Sequence, residues 1–250
     1  MTRFVAIFLT AAFLCSTAAG AAPPAFTVDA SVVLASLMSL TDNHLKTMAG
    51  SLDTVAATPA AQSGDWSQIE PELRKAASLN VAAIVYYINA NGAYWTISGG
   101  KQPTTVADRP YFIRAMRGER PIGDLLASRS TGKAVAVVAV PVTGKDGKIN
   151  GVLGASIYLD QLSVLLADEM RIQPGMVFWA LDPRGTIAVH SDASNVFVQP
   201  LKTPALKAVT ERMLAAQSGV ETYTYKGAKR TVLFRKSALT GWTFGFGIVH

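Results

Sequence analysis

Cysteine and histidine are nearly missing from this chain. The one cysteine, Cys15, lies inside the first apolar run. Once that run is removed, no disulfide, thiolate chemistry or cysteine metal site remains available. The three histidines, His44, His190 and His250, are isolated, and none falls in a ligand spacing such as H-E-x-x-H. Charge is sparse as well, at 16% of residues against 50% hydrophobic, which excludes a globally disordered chain. The balance is basic, formally +6, but the basic residues (Lys145, Lys148, Lys202, Lys207, Lys226, Lys229, Arg230) are dispersed. With no basic run interleaved with aromatics, a nucleic-acid partner is not expected. What remains is a mild attraction for anionic small molecules or surfaces. After position 24 the apolar strings near 134–142 and 152–159 are strand-length, well short of the ~20 residues of a membrane helix.

Catalytic signatures are missing too. There is no G-x-S-x-G elbow and no G-x-G-x-x-G motif. Ser130-Thr131-Gly132-Lys133-Ala134 echoes a phosphate loop and fails, because Ala127 stands where the first glycine is required and Ala134 where Ser or Thr is required. Nothing singles out a carboxylate pair, so a hydrolase built on scattered Asp and Glu is the weaker alternative. The expectation is a protein without catalytic residues, metal or cofactor. His190, at a predicted strand end, reads as a packed or hydrogen-bonded residue.

What is present begins at the N-terminus. Arg3, the apolar run Phe4 to Cys15, and the small residues Ser16 to Ala22 before Pro23-Pro24 have the order of a secretory signal peptide. The reading is a cleaved signal over residues 1–22 and a periplasmic or secreted protein; an uncleaved anchor is the alternative. Ala12, Phe13 and Leu14 before Cys15 do not fit a lipid-anchor signal.

Residues 29 to 58 predict a long helix. Leu34, Met38, Thr41, Leu45, Met48, Leu52 and Val55 step by four and three onto one face, and Asp29 is a plausible N-cap. That face packs on its own domain or forms a dimer seam; the pattern is short for a coiled coil, which favours a monomer or weak homodimer. A helix over Ser67 to Ala77 follows. Val81 to Ile88 and Ala93 to Ser98, joined by Asn89-Ala90-Asn91-Gly92, predict a hairpin. Ala107 to Arg117 predicts a helix begun by Asp108 with Pro110 in its first turn. Two strands, Lys133 to Val142 and Ile149 to Leu159, flank a tight turn, and Asp160 starts a further helix. The theme then restarts, with strands at Val177 to Leu181 and Thr186 to His190, a helix at Thr203 to Ala216, and strands at Glu221 to Tyr225, Thr231 to Ser237 and Trp242 to Val249. Antiparallel hairpins separated by helices imply an α+β fold rather than a doubly wound one.

Six stretches then occur in order: Val85 to Gly92, Asp108-Arg109-Pro110-Tyr111-Phe112, Ser128-Arg129-Ser130-Thr131-Gly132-Lys133 before an apolar strand and Pro141, Gly151 to Asp160, Leu181-Asp182-Pro183-Arg184-Gly185 through His190, and Gly241-Trp242-Thr243. Together, over about residues 27 to 250, they resemble the double Cache family, the extracytoplasmic sensor domains of bacterial chemotaxis receptors and sensor kinases. The resemblance implies a long N-terminal helix (23–66) carrying two PAS-like modules, a ligand-binding one at 67–172 and a smaller one at 173–250. It also implies small-molecule sensing; the family usually sits between two transmembrane helices, whereas no span follows position 24 here, so the expected role is a free binding subunit that presents its ligand state to a membrane sensor, with a solute scavenger as the other option. A structural or interaction protein working through the 29–58 helix is the alternative.

Bottom-up, Arg109 is the most informative charge. Its guanidinium can fork onto a carboxylate at a helix start, where free N–H groups favour anions, and Tyr111 and Phe112 can wall a pocket. The resemblance places these three on ligand-gripping positions of the amino-acid-binding branch. Its two ammonium-gripping aspartates fall on Ser128 and Ser156, and its two further tyrosines on Thr104 and Leu126. A buried ammonium without a carboxylate partner is costly, so the expected ligand is a small carboxylate or another anionic or polar molecule, not an ordinary α-amino acid. Tyr87, Trp95, Asp124, Arg129 and Tyr158 are secondary pocket candidates, of which at least two are expected to be core or surface residues.

Overall fold

The computed structural model describes residues 29–250; the expected signal segment lies outside them. Helix α1 (Ala30–Ala56) starts where the Asp29 carboxylate accepts the Ser31 N–H at 2.7 Å. Its buried stripe is Leu34, Leu37, Thr41, Leu45, Met48, Leu52 and Val55, with Leu37 taking the core position expected of Met38, which is half-buried. Thr58 ends α1 and caps the short α2 (Pro59–Ser63). Asp65 caps α3 (Trp66–Ser78) by accepting the Ser67 N–H at 3.0 Å.

The first sheet follows: β1 (Ala83–Asn89), β2 (Ala93–Thr96), β3 (Gly100–Thr105), helix α4 (Pro110–Ala115), β4 (Ile122–Ala127), β5 (Ala134–Thr143) and β6 (Ile149–Tyr158). All its pairings are antiparallel, in the order β3-β2-β1-β6-β5-β4. Strands β3 and β4 go beyond the sequence expectation. The first is a mostly exposed edge carrying Pro103, with no apolar alternation to betray it. The second is bent by a register shift at Gly123, whose φ is +89°. Helix α4 is shorter than expected and begins three residues later, at Pro110, with Asp108 drawn to Arg129 instead of capping it.

Helix α5 (Leu159–Glu169) leads to the second sheet, made of β7 (Met176–Leu181), β8 (Ile187–His190), β9 (Ser218–Tyr225), β10 (Ala228–Lys236) and β11 (Thr243–Val249). Helix α6 (Pro204–Ala215) comes between β8 and β9, and the strand order is β8-β7-β11-β10-β9. Omitting the edge strand β3, this repeats the first sheet's order β2-β1-β6-β5-β4. The fold is therefore the α+β arrangement of one long helix and two antiparallel sheets.

One core joins them. Leu34, Leu45 and Leu52 of α1 belong to a single cluster with Val85, Val138 and Leu153 of the first sheet and Phe178, Phe244 and Phe246 of the second. The stripe of α1 is therefore consumed within its own chain, not left for a dimer seam. Each sheet's other face has a separate apolar cluster, under α4 in the first and α6 in the second. His190 is packed and hydrogen-bonded, as expected: its N–H donates to Ser163 Oγ of α5 at 3.2 Å and its Nδ1 accepts the Asp192 N–H at 2.9 Å.

Two stability outcomes follow from this packing. Leu45 is fully buried in the shared core, so Leu45→Ala should cost about 2–5 kcal/mol in a single urea transition; two separated transitions would show the modules folding independently. Burial pushes the His190 imidazole down from 6.5 to about 4, against the pull of Asp192. The unfolded chain then binds the extra proton first, so stability should fall as pH drops from 6.5 through 4, by roughly 3 kcal/mol in all. Urea midpoints across that range should decline more steeply for the native protein than for His190→Gln; parallel curves would refute the burial effect.

Candidate ligand-binding site

Strand parity builds the site. In the β1–β6 ladder, Ile84 faces Ser156 and Tyr86 faces Gly154. Since successive side chains alternate, Ile84, Tyr86 and Ser156 share the face turned away from α1, and Tyr87 shares the face turned toward it. The Tyr86 ring lies across Gly154, where an added Cβ would meet it at 2.2 Å. A cavity of about 20 Å³ opens here, floored by Ile84, Tyr86 and Ser156 and walled by Tyr94, Val106 and Tyr111. Its rim is Arg109, Leu126, Ser128, Arg129 and Ser130.

Hydroxyls converge on the space. Ser156 donates to the Tyr86 hydroxyl at 3.4 Å, and the Ser128 and Ser130 hydroxyls are 3.1 Å apart. Burial raises the pKa of Tyr86, partly offset by the Ser156 and Tyr111 hydroxyls, and raises that of Tyr111 as well. Both phenols stay protonated, able to donate and accept at neutral pH. Two cations stand at the rim and differ in their commitments. Arg129 forks onto Asp108 at 2.8 and 2.5 Å and also donates to the Thr105 carbonyl. Arg109 donates to the Ala127 carbonyl at 3.2 Å. Among the described residues no carboxylate lines the cavity; Arg109 makes no direct ion pair there, its charge being felt by the exposed Asp108 beside it in the chain, and it also borders the adjoining groove that holds Glu119 and Asp124. Helix α4 has only six residues, too few for its N-terminus to act as the anion site, so the guanidinium itself carries the charge.

The structure thus brings together Arg109, Tyr111, Ser128, Arg129 and Ser156 of the residues singled out in the sequence. Phe112 packs beside them in the apolar cluster under α4. Tyr158 packs on the edge of that cluster, with the Lys133 ammonium 5.0 Å from its ring. Tyr87 and Trp95 stack on each other on the opposite side, in the α1 core, with ring centroids 6.0 Å apart. Asp124 lies in an adjoining groove of about 710 Å³ between the two sheets and pairs with Arg114 at 2.5 Å. Tyr86, Tyr94 and Ser130 were not singled out. Ser156 could have pointed to Tyr86 rather than Tyr87, but only with the β1–β6 register in hand.

Strand β4 connects this cavity to the second sheet. Leu126 of β4 and Ser128 just after it line the cavity, and the carbonyls of Gly123 and Leu125, on the edge of the strand away from β5, are bonded by the second sheet's residues. The buried Trp242 indole donates to Gly123 O at 3.1 Å, and Arg184 donates to Leu125 O at 2.9 Å. Asp182, itself buried, aims that arginine by accepting its Nε–H at 2.8 Å and the N–H groups of Arg184 and Thr186.

A methyl at position 154 tests the Tyr86 floor. Gly154→Ala should lower stability by about 1–3 kcal/mol in urea unfolding while Tyr86→Phe/Gly154→Ala costs as much, since the ring and not the hydroxyl is in the way. A neutral Gly154→Ala would mean that the ring does not rest there.

Comparison with known proteins follows the same lines. A family model described as Cache domain matches residues 26–249. No curated protein matches the chain significantly in sequence. Among solved structures, an extracellular ligand binding receptor from Desulfohalobium retbaense superposes with a TM-score of 0.70 at 14% identity, over 87% of this chain and 40% of that one. The ligand-binding domain of the Pseudomonas fluorescens chemoreceptor CtaA in complex with L-serine gives 0.65 at 19% identity, over 88% and 93% of the two chains. The sensory domain of the Campylobacter jejuni chemoreceptor Tlp3 with isoleucine bound gives 0.62 at 14%, over 88% and 89%. At these identities the likeness is one of fold. No helix among the described residues is long and apolar enough to cross a membrane.

Proposed function

The chain belongs to the Cache domain family, a family of sensory ligand-binding domains, and on that premise we propose that it is an exported, non-catalytic sensor whose first module, residues 67–172, binds a small carboxylate lacking a free ammonium. The observation that carries this reading is Arg109, bonded to a carbonyl and to no carboxylate, at a cavity with no carboxylate in its lining. An arginine with free N–H donors, two neutral phenols and three serine hydroxyls suits a carboxylate with polar substituents. An α-amino acid would bring an ammonium to a site that offers it only hydroxyls and carbonyls while two guanidinium groups stand at the rim, and that is unfavourable. The structures with L-serine and isoleucine bound are those of other proteins; on the family resemblance, Ser128 and Ser156 stand where the amino-acid-binding branch has aspartates.

The cavity holds about one water by volume, so any organic acid must displace its rim. Leu126 and Ser128 are the movable part, and they belong to the segment whose other side is tied to Trp242 and Arg184. Ligand entry would therefore shift β4 against the second module, residues 173–250, and that displacement is what a membrane sensor partner would read.

A thermal-shift screen of the protein against carboxylates, amino acids, amines, purines and sugars tests the reading. Small carboxylates should raise the melting temperature by mass action. Arg109→Ala should weaken the best of them ten- to hundredfold, as expected for about 1.5–3 kcal/mol of charged hydrogen bonding, and Ser156→Asp should weaken it by like-charge repulsion. An α-amino acid that binds the native protein more tightly than its ammonium-free analogue would overturn the assignment.

A further inference from the structure

The second sheet repeats the first, and with it a cavity. Strand β10 occupies the place of β5 in the shared order, and both sheets turn one face to α1 and the other to a covering helix. Between the second sheet and α6 lies a cavity of about 80 Å³, larger than the first. Trp179, Val209 and Met213 make one wall apolar.

Two nitrogen donors, on Arg230 and His190, also line the cavity, and its other polar side chains are the neutral Asn195, Thr203, Thr210, Tyr223 and Tyr225. Arg230 precedes Val232 and Phe234 by two and four residues on β10, so parity turns it toward α6 with them. Its Nε is buried and has no hydrogen-bond partner among the described residues. The Tyr225 ring, 5.4 Å from the guanidinium carbon, partners the charge but leaves that N–H unmet, and a buried unmet donor is costly. His190 lines the same space. Because its Nδ1 accepts the Asp192 N–H, its proton sits on Nε2, for which no acceptor stands among the described residues. No carboxylate lines the cavity; Asp192 is exposed and caps the following turn, and Glu221 is forked by Arg212 at 2.8 and 2.7 Å.

We propose that this cavity is a second ligand site, which takes a short-chain monocarboxylate with its anion on the Arg230 Nε–H and the His190 Nε2–H and its tail against Trp179 and Met213. The volume is about half that of an engineered cavity able to hold benzene, which limits the tail to roughly two to four carbons. This goes beyond the first-module reading and does not depend on it.

Titration calorimetry of butyrate into the protein carrying Arg109→Ala, which disables the first cavity, decides the matter. Binding should be one to one, should strengthen from acetate to butyrate, and should exceed that of 1-butanol at least tenfold. Arg230→Met should lose tenfold or more. Met213→Trp, which fills the tail space and leaves both donors in place, should lose as much and covers the case in which Arg230→Met misfolds. No butyrate binding to the Arg109→Ala protein, or binding unchanged by Arg230→Met and Met213→Trp, would overturn the second site. Because Arg109 is already gone, failure of carboxylates at the first cavity does not alter this result.

Discussion

Burial of one face of α1 against the backs of two sheets is the interaction on which this architecture rests. Leu34, Leu45 and Leu52 sit in the same cluster as residues of both sheets, and each fully buried leucine is worth about 1.5–3 kcal/mol. Among the described residues the one long helix is shared between the two sheet backs, with Ile69 and Leu73 of α3 and Leu162 and Leu166 of α5 in the same cluster. The consequence is functional. With both backs turned to α1, both fronts are turned away from it, and each front is covered by a shorter helix that leaves a cavity.

Charge pairing sets the electrostatics of those cavities. In the first, Asp108 neutralises Arg129 through a two-bond fork, and Arg109 is left with a carbonyl. In the second, Glu221 is taken by Arg212 while the Arg230 Nε–H is unmet. Asp108 and Glu221 are thus paired with neighbouring arginines while Asp192 caps a turn, and neither Arg109 nor Arg230 forms an ion pair among the described residues. Aspartate in place of Ser128 or Ser156 would reverse the local balance, which is why two small hydroxyl side chains carry so much of the ligand argument.

Coupling between the modules runs through a few hydrogen bonds at one strand. The Gly123 carbonyl meets a fully buried tryptophan, and the Leu125 carbonyl meets an arginine held in place by buried Asp182. Side chains of the same segment, Leu126 and Ser128, border the first cavity. A further tie, from α5 to β8, joins Ser163 to the His190 backbone.

Much of this was legible in the residues. The three-four spacing of α1 and its Asp29 cap, the Asn89 to Gly92 turn, the repeated strand-turn-strand theme and the grouping of Arg109, Tyr111, Ser128 and Ser156 all follow from local pattern or motif order, because helix periodicity, caps and turns are set by residues near each other in the chain. What the sequence left open depended on pairing partners. Tyr86 and Tyr87 are equally aromatic neighbours, and only the β1–β6 register puts the first in the cavity and the second in the α1 core. Strand β3 has no apolar alternation, and the helix boundary at Arg109 moved because Asp108 found Arg129 twenty-one residues away. The second cavity was invisible for the same reason: Arg230, His190 and Trp179 are far apart in sequence and meet only when three strands and α6 close over them. Local order determined the elements; register and long-range charge pairing, which no local window contains, decided which side chains face a cavity.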